Sequence, residues 1–104
     1  MIPAALAMSM ACRLYGTDLL DLVSKRRQHP LVMARALAIW AMRLDTPRSY
    51  PAIGRVLGDR HHTSILSLHR KAEKLCAADP AFRRDCARVL GRYLEMKGMD
   101  HASN

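Results

Sequence analysis

Apolar side chains recur at helical spacing over residues 3–15 and stop at Gly16, a residue suited to the position that closes a helix. Thr17 sits where an N-cap belongs, ahead of a short helix, DLLDLVS, with Asp18 in its favourable first turn. A basic link, SKRRQHP, follows. From Pro30 the stretch LVMARALAIWAMRL is apolar nearly all round, broken only by Arg35 and Arg43, which predicts a helix at the centre of the fold. The pattern breaks at DTPRS, because Pro47 lacks a helical donor and biases its predecessor away from helix. Ser49 is then the predicted cap of a compact helix, YPAIGRVL, that stops at Gly58. After the turn GDR, a longer helix runs from about His61 or His62 to Ala77. Asp79 and Pro80 cap and open a last helix reaching roughly Lys97, with Gly98 ending it and the tail MDHASN frayed.

These segments predict an all-α fold, a compact helical bundle forming a single domain over 1–104 with its core at about 3–97. The pair of helices at 49–57 and 61–77, joined by about three residues with Gly58 at the corner, has the shape of a helix-turn-helix. Helical hairpins are common, so the shape alone is weak. The second helix divides its faces: Ile65, Leu68, Ala72 and Leu75 share one side, while Thr63, Ser67, Arg70 and Lys74 gather opposite. Composition sharpens this. Seventeen Lys plus Arg against nine Asp plus Glu leave a net charge of +8, a surplus that suits an anionic partner such as nucleic acid.

The remaining chemistry reads as structural. Cys12, Cys76 and Cys86 lie in helical segments with no C-x-x-C pair, which is expected of reduced thiols in a cytoplasmic protein. The opening MIPAALAMSMAC lacks a basic flank and is too short to span a bilayer, so it is read as the first helix. Adjacent His61 and His62 point about 100° apart on a helix and do not share a metal, and neither they nor His69 and Cys76 have obvious co-ligands. Ser64 and Ser67 have no orienting carboxylate or oxyanion element, so no catalytic residue, metal or cofactor is expected. Trp40 is expected to pack inward, and Phe82 and Tyr93 to pack inward or against a partner if the last helix is exposed.

The ordered landmarks resemble a known family. An S-K-R-R element, an Arg early in the following long helix, a Ser-x-Pro-x-Ile-Gly helix, Gly-x-Arg and then His-Thr-Ser leading into a basic helix resemble the C-terminal DNA-binding domain of the bacterial replication initiator DnaA, over residues 17–77. The resemblance implies a Trp-repressor-like helix-turn-helix and double-stranded DNA as partner, with a replication protein as a further one. Arg27 matches the side chain that this family inserts into the minor groove. His62 and Thr63 match residues that reach base edges in the major groove, Ser64 a hydroxyl on phosphate, and Pro51 the helix start that abuts DNA. Arg35, Arg60, Arg70 and Lys71 lie at basic or backbone-facing positions.

One departure falls at His61, where the family ordinarily has aspartate, so an altered or relaxed base preference is expected there. The sequence also contains no G-x-x-x-x-G-K-[ST] loop, and no ATP is expected to bind. Recognition at initiator-type boxes, regulating replication initiation or transcription, is the reading that results. The alternative keeps the fold but has the basic face bind an acidic protein, RNA or membrane headgroups, with only non-specific DNA association.

Overall fold

The computed structural model describes residues 2–44 and 48–102, with the side chains of 99–102 left aside. Among these residues the regular structure is entirely helical: α1 (Ala4–Tyr15), α2 (Leu19–Leu22), α3 (His29–Met42), α4 (Tyr50–Val56), α5 (His62–Ala78) and α6 (Pro80–Ala102). The expected break at Pro47 lies outside the described residues.

Local chemistry accounts for most boundaries. Gly16, with φ at 64°, closes α1 by donating to the Cys12 carbonyl. Ser49 Oγ accepts from the Ala52 amide at 3.2 Å and starts α4, and Asp79 Oδ1 accepts from the Ala81 amide at 2.9 Å and starts α6. Two boundaries differ from expectation. The cap of α2 is Asp18, not Thr17, its Oδ1 accepting from the Asp21 amide at 2.8 Å; both residue types cap well, and one residue of register separates them. The last helix continues through Gly98 to Ala102, since one glycine costs a long helix only about 1 kcal/mol.

The central helix is α3. Leu31, Met33, Ala34, Leu37, Ala38, Ile39, Ala41 and Met42 are buried along it, and it packs against α1, α5 and α6. Trp40 is partly buried against this core. From α6, Phe82, Cys86, Val89 and Tyr93 are buried, and from α5, Ile65 and Ala72, with Leu68 and Leu75 partly buried beside them. The Cys76 and Cys86 thiols meet between α5 and α6, 3.6 Å apart, and burial, followed by the contact with Cys76, pushes the Cys86 thiol well above its ordinary range.

Two glycines let the backbones approach. A Cβ on Gly54 would run into the backbone carbonyl of Arg60, which itself donates from its amide to the Gly54 carbonyl at 2.9 Å. Gly58 has φ at 88°, and a Cβ there would meet the Val23 carbonyl. The connection from α4 to α5 therefore turns sharply over 57–61, somewhat longer than the three residues expected, with Asp59 also in the left-handed region at φ 56°.

Candidate nucleic-acid interface

The turn at Gly58 brings the front of α5 beside the basic link that joins α2 to α3. His61 caps α5: its Nδ1 accepts from the Thr63 amide at 3.2 Å and lies 2.8 Å from Thr63 Oγ1. The His62 ring lies against that of His61, with centroids 4.3 Å apart and planes tilted by 33°. His61, His62 and Thr63 are all exposed and Ser64 is half-buried.

The basic link has no regular structure over 26–28, and the protein holds it and the end of α2 by their carbonyls. Arg35 does most of this. Its Nε donates to the Leu22 carbonyl at 2.8 Å, one terminal nitrogen to Arg26 at 2.5 Å, and the other to Asp21 at 3.0 Å and Ser24 at 2.9 Å. Arg60 donates from Nε to the Leu57 carbonyl at 3.1 Å and from a terminal nitrogen to the Ser24 carbonyl at 2.5 Å. The two guanidinium groups thus share one acceptor and clamp the loop onto α3 and the α4–α5 turn. Arg27, next along, is exposed.

This arrangement corrects the expectation for Arg35, which was placed among backbone-facing DNA contacts. It is 2% exposed, and its donors face the protein's own carbonyls. The site role that remains for it is to shape the link. Arg60, half-buried, combines both situations: it holds the link and lines the surface.

Most of the sequence-predicted residues fall along a connected surface; His62, exposed beside His61, lines none of its depressions. A depression of about 230 Å³ is lined by Ser24, Lys25, Arg27, Arg60, His61 and Ser64, together with the glycine turn. A second, of about 260 Å³, adds Ser67 and Leu68 to Arg27, Arg35, Arg60 and Ser64. A third, of about 620 Å³, runs along the exposed face of α5 past Thr63, Ser67, Arg70, Lys71 and Lys74. Ser67 joins the second to the third. Pro51 is exposed in the first turn of α4 and lines none of these. Ser24, Lys25, Ser67 and Lys74 were not among the expected site residues; Ser67 and Lys74 shared the predicted polar face of α5, and Lys25 the basic run.

Electrostatics marks the same place. Burial, then repulsion from Arg60 and Arg27, lowers the Arg35 guanidinium to about 10, with Asp21 pulling the other way. Arg60 is lowered too, by burial first and then by Arg27. Three cationic side chains therefore crowd together, a local field suited to an anion. Among the described residues no group of three or more His, Cys, Asp or Glu is placed to hold a metal, and no helix is long and apolar enough to cross a membrane.

Two helices at a glycine turn, the second presenting a polar, basic front, define the chain as a helix-turn-helix domain. Residues 6–72 match the family described as the bacterial DnaA protein helix-turn-helix, and the chain belongs to that family as a C-terminal-type domain. It is 41% identical to the chromosomal replication initiator protein DnaA of Caulobacter sp. strain K31 over 71 residues, 68% of this chain and 15% of that protein. The DnaA of Rhizobium meliloti strain 1021 is 43% identical over 65 residues, 62% of this chain and 14% of the relative. That of Jannaschia sp. strain CCS1 is 38% identical over 84 residues, 81% and 18% respectively. The chain thus spans less than a fifth of the length of these curated relatives.

Proposed function

We propose that this chain is a sequence-specific double-stranded DNA-binding module for DnaA-box-like sites, regulating replication initiation or transcription by occupying them. The front of α5 enters the major groove, where His62 and Thr63 meet base edges, and Arg27 reaches into the adjacent minor groove. Ser64, Arg60, Arg70 and Lys71 engage phosphates, and Pro51 abuts the backbone at the start of α4. The role is recognition and not catalysis.

The observation that carries this reading is that Arg27, His61 and Ser64 line one depression, so that one duplex face can meet the link and the helix front together. The family membership supports the same partner class.

Competition decides between specific and non-specific binding. A duplex recovered by selection from random sequences is expected to stay bound in a large excess of random DNA, and release in proportion to the competitor would sink the proposal. Replacing His62 or Thr63 with Ala should relax base preference at the facing positions by about 1–3 kcal/mol.

A further inference from the structure

His61 caps α5 with a ring nitrogen rather than an oxygen, and that choice fixes its proton. Its Nδ1 lies 3.2 Å from the Thr63 amide, a group that only donates, which favours the tautomer with Nδ1 as the bare nitrogen of the imidazole. A neutral ring carries one N–H, which is therefore on Nε2. The Thr63 hydroxyl, 2.8 Å from the same Nδ1, is able to donate to it in that tautomer, sharing the ring's lone pair with the amide. The His62 ring lies tilted against that of His61, and both rings are exposed.

We propose that this tautomer makes His61 a donor-only reader, favouring guanine, the base with two major-groove acceptors, and rejecting cytosine at the base pair it faces. The inference rests on the reading that α5 opens into the major groove. There guanine presents two neighbouring acceptors, O6 and N7, whereas cytosine presents an amino donor. The Nε2–H of His61 pairs with the first and opposes the second. Helix capping and base reading are one device, because the bond that satisfies the first turn of α5 leaves the ring nothing but a donor to offer.

Two measurements test it. Nitrogen NMR of the free protein at neutral pH reads the tautomer directly: Nε2-protonated His61 is expected, and an Nδ1-protonated ring overturns the proposal. Binding-site selection on the wild type and on His61→Asp reads the base. A carboxylate keeps the cap but only accepts, so preference at one position is expected to turn from guanine to cytosine, by about fivefold to tenfold. The other positions are expected to hold. Identical preferences in the two proteins overturn the proposal while leaving sequence-specific binding in place. No preference at any position, in either protein, overturns both the inference and the reading beneath it.

Discussion

Arg35 is a cation without a carboxylate partner at hydrogen-bond distance among the described residues, surrounded instead by four carbonyl oxygens, two from the end of α2 and two from the link, 9 to 14 residues earlier. Charge-assisted bonds to carbonyls are stronger than neutral ones, and removing the donor leaves partly buried acceptors without a partner. Arg35→Ala is expected to destabilise the domain by about 2–4 kcal/mol, allowing for water reaching the outer carbonyls. Arg35→Lys should recover only part of this, because an ammonium cannot fan across four acceptors. Thermal unfolding with DNA titration checks both; a Lys variant as stable as the wild type would show that charge alone suffices. His69 provides a second test at this scale. Its Nδ1 is 2.8 Å from the Tyr50 hydroxyl, and burial, reinforced by Arg43 and offset by Glu73, holds its pKa below the ordinary value. The folded protein therefore resists protonation more than the unfolded chain does. As pH falls through about 6.5 the unfolded state takes up the proton first, so this contribution is complete above that value and declines below it. His69→Gln should flatten the fall in melting temperature between pH 7.5 and 5, and an unchanged slope would remove His69 as its source.

At the scale of elements, the site depends on how closely α4, its turn and the basic link approach one another. The Gly54 position faces the Arg60 carbonyl too tightly for any Cβ, and backbone cannot yield as a side-chain tip can. Gly54→Ala should cost about 1–3 kcal/mol and shift the turn that carries Arg60 and His61, lowering melting temperature and DNA affinity together. Gly91→Ala, where nothing stands within 4 Å, is the control and should be neutral or slightly stabilising. Much of this architecture is legible in the chain itself. Proline in a first turn, oxygen caps at Ser49 and Asp79, and the two-faced periodicity of α5 are local signals, and local hydrogen bonds answer them. The use of Arg35 is not local: nothing around Met33–Leu37 indicates that its guanidinium meets carbonyls of the preceding loop, so a family position and a basic side chain pointed outward while the fold turned it in. His61 as a cap was hidden for a related reason, since histidine is not a usual N-cap and its role shows only once ring and amide are placed.

Across the whole molecule, charge is unevenly matched. On α6, Arg88 and Arg92 stand 3.5 and 3.4 Å from Asp85 and Glu95, and Arg26 stands 3.6 Å from Asp21. The depressions along the link and α5 gather Lys25, Arg27, Arg60, Arg70, Lys71 and Lys74, with Asp59 the carboxylate among their lining residues. Much of the +8 surplus is thus concentrated on the face that carries the helix front. A surface of this kind binds a polyanion largely by releasing its counterions, so affinity falls with salt according to the number of phosphates neutralised. With on the order of six such contacts, the log–log slope of affinity against salt is expected near about −5. Lys71 lines the depression along α5 and not the helix front. Lys71→Ala should therefore weaken binding to selected and random duplexes by similar factors and make the slope shallower by about one, whereas Thr63→Ala should leave the slope nearly unchanged and reduce only the preference for the selected site. Titrations at several salt concentrations on both duplexes separate the two effects. A Lys71 variant that loses discrimination while keeping its salt slope would place that lysine on a base rather than a phosphate and redraw the interface.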